Sequence, residues 1–127
     1  MKHILIVQGG GRPRVNTAQL VEHFAQGARD AGHQVETVSL LQTEVKGCLG
    51  CNACRYGKPC VQKDGFQQLI PKIQWADLLV LASPLYFWTI SAKLKAFIER
   101  FYCIAQPDDH PPLGRYEKYP VKDSALL

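Results

Sequence analysis

No apolar run in this chain is long enough to cross a bilayer: the longest that matters, Leu78 to Ala82, falls far short of the roughly 20 residues of a spanning helix. Ile4 to Val7 is likewise too short for the apolar part of a secretory signal. The expectation is a cytoplasmic protein with no membrane partner. A basic run is missing too. Fifteen Lys and Arg against eleven Asp and Glu leave a thinly spread +4, which argues against a nucleic-acid stripe and suits an anionic small ligand. With 46% apolar and 20% charged residues, disorder, collagen-like repeats and a solenoid are excluded. What is there is one domain, residues 1–127, large enough to close a core without metal or disulfide support.

The chain reads as alternating strands and helices. Ile4 to Val7 stops at Gly9-Gly10-Gly11, as a strand buried on both faces does before a turn. Asn16 is placed to cap a helix whose Leu20, Val21, Phe24, Ala25, Ala28 and Ala31 recur at helical spacing until Gly32. Gln34 to Leu40 predicts a second strand, parallel to the first. After a loop over 43–63, Asp64 and Gln67 form the signature that opens a second helix, with Pro71 expected to kink it or mark a late start. Leu78 to Ala82 is a third, central strand ended by Pro84. A third helix runs from about Ser91 to Ile104: Leu94, Phe97, Ile98 and Phe101 face inward, Lys93, Lys95, Glu99 and Arg100 form its polar face, and Cys103 is buried. This order demands a parallel sheet with helices on both faces. The Pro-rich segment Gln106 to Pro120 is expected to be functional or to contact a partner. Ser124 to Leu127 looks like a strand just starting, so the chain reads as truncated at the start of its fourth strand.

Chemistry concentrates in three loops. The segment from Gly9 to Thr17 joins the first strand to the first helix, where unpaired backbone N–H groups and the helix dipole converge and phosphate fits. Arg12 and Arg14, with the side chains of Asn16 and Thr17, could add contacts; a plain tight turn with surface arginines is the alternative. The loop is neither a Walker loop, lacking Gly-Lys-Ser/Thr, nor a dinucleotide fingerprint. The second loop, Ser83 to Thr89, carries Tyr86-Phe87-Trp88 at the carboxyl end of the third strand, where an open α/β sheet binds ligands. Those rings suit a planar heterocycle, or cap the core, or fill a subunit interface. The third holds Cys48, Cys51, Cys54 and Cys60, and Lys46, Arg55 and Lys58 nearby favour thiolates. In an unexported chain such a cluster points to metal or redox chemistry: a [4Fe-4S] cluster, zinc, a reversible disulfide, or plain apolar packing. His3, His23, His33 and His110 have no spacing that joins two on one metal.

Taken together, the Gly-x-x-Arg-x-x-x-Asn-Thr turn at Gly9 to Thr17, the Ser-Pro-Leu-Tyr turn at Ser83 to Tyr86 and the following Lys93 to Arg100 helix resemble the NAD(P)H-dependent FMN reductases of the flavodoxin-like superfamily, over residues 1 to about 103. The resemblance implies a doubly wound parallel sheet of order 2-1-3-4-5 and noncovalent FMN. It implies phosphate contacts from Arg12, Asn16 and Thr17 and from the backbone around Gly10, Gly11 and Ala18, with Pro84, Leu85, Tyr86, Phe87, Trp88 and Thr89 lining the isoalloxazine ring. Where the family usually carries Ser then Pro, this chain has Gly10 and Gly11, so one hydroxyl contact is absent. The implied activity passes a hydride from NAD(P)H through FMN to a quinone, a nitro or azo compound or a flavin, in a homodimer or homotetramer, with no side chain named as catalytic. The cysteine spacing resembles the iron-sulfur flavoprotein branch, in which Cys48, Cys51, Cys54 and Cys60 would ligate a [4Fe-4S] cluster in an electron carrier. A flavodoxin-like interaction module that binds no flavin is the third reading.

Overall fold

The computed structural model describes residues 1–54, 58–105 and 123–127. The elements follow the order β1 (His3–Gln8), α1 (Asn16–Asp30), β2 (Gln34–Ser39), α2 (Gly65–Trp75), β3 (Leu78–Ala82), α3 (Ala92–Arg100), α4 (Tyr102–Ala105) and β4 (Asp123–Leu126). The four strands form one sheet in the order β2-β1-β3-β4, every neighbouring pair parallel. Ile6 stands between Thr37 and Val80 in register.

The unbroken apolar run of β1 follows from its place in this sheet. Successive side chains of a strand point to opposite faces, so a strand covered on both faces needs apolar residues at every position. Ile4 and Ile6 pack with Val21 and Ala25 of α1 and with Val80 and Ala82 of β3. Leu5 and Val7 pack on the other face against Phe66, Leu69 and Ile73 of α2 and Leu94 and Phe97 of α3. Phe66, Phe97 and Phe101 meet edge-on or tilted, with ring centroids 5.2 to 6.1 Å apart, in the geometry aromatic quadrupoles favour.

Three expectations are corrected. α1 begins at Asn16 with Val15 in the capping position and no side-chain cap, so Asn16 is inside the helix. α2 starts at Gly65, on the Asp64–Gln67 capping box, and runs through Pro71, so the proline marks no late start. The third helix ends at Arg100, and a turn at Phe101 separates it from the short α4. The chain's last residues form the fourth strand that the sequence suggests, and it pairs with β3 from Leu78 to Leu81. The Gln106 to Pro120 segment and His110 lie outside the described residues. Among the described residues no helix is long and apolar enough to cross a membrane.

Candidate functional site

All three loops singled out in the sequence leave the same edge of the sheet, the carboxyl ends of β1, β2 and β3. After β1 the three glycines are required for different reasons. A Cβ on Gly9 would stand 2.5 Å from Leu94 Cβ and 2.8 Å from Ser91 Oγ, so only glycine lets the strand end lie against α3. Gly10 and Gly11 adopt φ of +121° and +92°, which L side chains avoid, and the space beyond Gly10 is open. The turn is held by Gln19 Nε2 donating to the Arg14 carbonyl at 3.0 Å. It delivers the chain to α1 with the helix amides unspent: the ladder starts with Gln19 N on Val15 O, and the Asn16, Thr17 and Ala18 amides have no acceptor among the described residues. The helices α2 and α3 contrast with this, each capped by its own side chain, Asp64 or Ser91. Unspent amides at the positive end of a 15-residue helix favour negative charge there. Thr17 is buried beside it, and Arg12, Arg14 and Asn16 are exposed around it.

The loop after β3 is a tight hairpin. Tyr86 and Thr89 exchange both backbone hydrogen bonds, at 2.9 and 3.1 Å, around a two-residue tip. Phe87 and Trp88 at that tip have φ of +46° and +65°. Positive φ at both central residues is the pattern of a turn that favours Asn-Gly, and for two bulky aromatics it is strained. The rings are 88% and 82% exposed and meet edge-on at 4.8 Å. Leu85 and Thr89 are exposed beside them, with Pro84 half-buried at the base. Ser91 ties the two loops together: its N–H donates to Ser83 Oγ at 2.8 Å and its hydroxyl donates to the Gly9 carbonyl.

The cysteine loop is fastened from the far end of α3 and from the start of α4. Glu99 accepts from the Cys48 amide at 3.2 Å, and Tyr102 Oη donates to Asn52 Oδ1 at 2.6 Å. Arg100 reaches Lys46, Cys60, Gln62 and Asp64. The sequence placed Arg100 on a solvated face, and this is corrected: its side chain is 1% exposed, paired with Asp64 at 2.6 Å. A charge run on a helix ordinarily reads as surface, and the available signal was only the capping Asp64, whose carboxylate has a second oxygen to offer. Cys48, Cys51, Cys54 and Cys60 are free and line one small, partly open cleft together with Arg100, Tyr102 and Cys103. Burial pushes the Cys54 thiol above its ordinary value, and Cys60, Cys48 and Cys51 push it the same way. Among the described residues no three His, Cys, Asp or Glu side chains are placed to hold a single metal ion. Arg55 lies outside the described residues.

The fold and the loops at this edge define the class: a flavodoxin-like α/β protein with a glycine turn and an aromatic turn on neighbouring strands. The chain belongs to the NADPH-dependent FMN reductase family, whose pattern it matches over residues 1–116. That family consists of oxidoreductases that work with FMN. Two iron-sulfur flavoproteins are similar to it. One from Methanocaldococcus jannaschii is 33% identical over 97 residues, 76% of this chain and 50% of that protein. One from Archaeoglobus fulgidus is 36% identical over 97 residues, 76% of this chain and 47% of that protein. The chain thus spans about half the length of the curated relatives it matches. Among solved structures, an NAD(P)H:quinone oxidoreductase from Methanothermobacter marburgensis superposes with a TM-score of 0.77 at 19% identity, covering 99% of this chain and 63% of that one, which shows a shared fold.

Two outcomes test this geometry. Replacing the tip by Phe87→Asn with Trp88→Gly is expected to stabilise the protein by at least about 1 kcal/mol, the strain of such conformations being about 1–3 kcal/mol each, in urea unfolding, while weakening flavin binding; a loss of stability would contradict the strain. Asp64 is the second. Burial alone would raise its carboxyl, but the Arg100 hydrogen bond and the Lys46 and Phe66 amides outweigh burial and hold it below the ordinary carboxylate range. A group lowered in the folded state stabilises above its unfolded pKa, about 3.9, and that contribution is lost as pH falls through the folded value. Asp64→Asn keeps a capping oxygen and breaks the ion pair, so it is expected to cost about 3–5 kcal/mol at pH 7 and progressively less below pH 4, measured by denaturant titration at each pH.

Proposed function

We propose that this chain is the flavin-binding part of a cytoplasmic NAD(P)H oxidoreductase that reduces a small acceptor: a quinone, a nitro or azo compound, or a flavin. The observation that carries the reading is the uncapped start of α1 behind Gly10 and Gly11, where three amides have no acceptor among the described residues and the space beyond Gly10 is open. A phosphate monoester fits that donor set: Arg12 and Arg14 add charge at the rim, and Asn16 and Thr17 add side-chain donors. FMN bound there supplies the hydride and electron exchange. The chain's own residues hold and shield. The hairpin from Pro84 to Thr89 offers exposed aromatic faces and the Leu85 side chain to a planar ring system. A homodimer or homotetramer would cover the exposed Leu85, Phe87 and Trp88.

The test separates phosphate from ring. Arg12→Ala is expected to raise the Kd for FMN about tenfold, the worth of one charge-assisted hydrogen bond, and to leave riboflavin, which lacks the phosphate, unchanged. Equal losses for both ligands, or none, would overturn the placement. Wild-type protein that binds neither would leave the flavin-free interaction module as the surviving reading.

A second reading is favoured by the cysteine loop, and it matches the names of the curated relatives. Four free thiols surround one cavity without converging on one point. Zinc needs its ligands gathered on a single ion, whereas a cubane takes one thiolate on each of four irons and so spaces them apart. An amide N–H already donates to sulfur at Cys48, from Gly50 at 3.3 Å. On this reading Cys48, Cys51, Cys54 and Cys60 hold a [4Fe-4S] cluster, and the protein carries electrons between it and the flavin. Protein prepared without oxygen is then expected to contain about four irons and four sulfides, with Cys51→Ser losing them; a flavin spectrum without iron would overturn this reading and leave the first standing.

A further inference from the structure

Arg100 gathers parts of the molecule that the sequence holds far apart. Its Nη1 donates to the Lys46 carbonyl at 3.0 Å and to Asp64 Oδ2 at 2.6 Å. Nη2 donates to the Gln62 carbonyl and to Cys60 Sγ, both at 3.4 Å. The guanidinium carbon lies 5.1 Å from the centre of the Phe66 ring, and Nε is buried with no hydrogen-bond partner among the described residues. Lys46 and Gln62 stand two residues before Cys48 and two after Cys60. One planar group therefore closes both ends of the cysteine loop and touches one of its thiols. Lysine, a point charge without a fork, cannot make these bonds together. Burying a cation costs free energy that the Asp64 pair alone need only offset, and an ion pair by itself does not require an N–H aimed at sulfur.

We infer that Arg100 is the positioning residue of the cysteine loop: it fixes Cys60, and its N–H···S bond raises the reduction potential of the iron-sulfur cluster that Cys60 helps to hold. The inference rests on the second reading above. Adding one electron makes a cluster more negative, and a donor on a ligand sulfur stabilises that added charge. Neighbouring positive charge acts in the same direction, so Arg100→Lys keeps the charge and removes the directed bond.

The experiment loads wild-type and Arg100→Lys protein with iron and sulfide under anaerobic conditions, counts iron, and follows reduction by dithionite with electron paramagnetic resonance. The variant is expected to keep its iron and to shift its reduction equilibrium about tenfold toward the oxidised cluster, which is about 59 mV lower for one electron. An unchanged potential with the iron retained would overturn the tuning. Wild-type protein that takes up no iron refutes the cluster reading, and the tuning with it. Positioning is then read in metal-free protein, where Cys60, located by mass spectrometry, is expected to be alkylated about tenfold faster in the variant, an unchanged rate overturning that part too. Should thermal melting show the variant too unstable to load, pulsed resonance on protein carrying ¹⁵N-arginine, with Arg55→Lys to silence the loop's own arginine, takes its place. A nitrogen coupled to the reduced cluster is expected, and its absence would refute the bond.

Discussion

The site depends on α3 acting as a strut between two sets of loops. This helix is nine residues, about 13 Å at 1.5 Å per residue. At its start Ser91 holds the Gly9 carbonyl and Ser83, fixing the glycine turn and the aromatic hairpin relative to each other. At its end Glu99 and Arg100 hold the cysteine loop. Leu94 and Phe97 between them are fully buried against β1 and α2, so neither end moves without disturbing the core. The missing Cβ of Gly9 is what lets the strut seat so closely.

This arrangement places local costs where function would use them. The start of α1 forgoes a side-chain cap that the other two long helices have, and the hairpin tip holds two aromatics at positive φ. Each lowers stability by about a kcal/mol or more. Both lie at the carboxyl edge of the sheet, and the offsetting burial lies in the two core layers beneath. A fold under selection for stability alone would cap α1 with Asp or Ser and close the hairpin with Asn-Gly. Such departures from local preference concentrate at sites that must meet a ligand.

The fold was largely legible in the sequence because periodicity and turn residues speak directly to it. The four-residue apolar run of β1, the Gly9 to Gly11 break and the Asp64–Gln67 box each marked an element that formed. The glycine turn was legible for the same reason, since three glycines between a strand and a helix mark a sharp change of direction. Val15 defeated the prediction of an Asn16 cap because the glycine turn decides where the helix starts, not the residue with the best capping side chain. Arg100 was hidden for a different reason. Helical spacing puts it beside Lys93 and Glu99, and only the return of the cysteine loop over that face buries it. The strain at Phe87 and Trp88 was equally invisible, because aromatic residues carry no turn signal.

The claim at the centre of this account is that the open amides of α1 receive the phosphate of a flavin. Hydrogen–deuterium exchange of the protein with and without FMN tests it most directly. Exchange is expected to slow at Asn16, Thr17 and Ala18 and across Pro84 to Thr89, with little change in α2. Bound FMN that leaves the amides of Asn16 to Ala18 exchanging as before would contradict it.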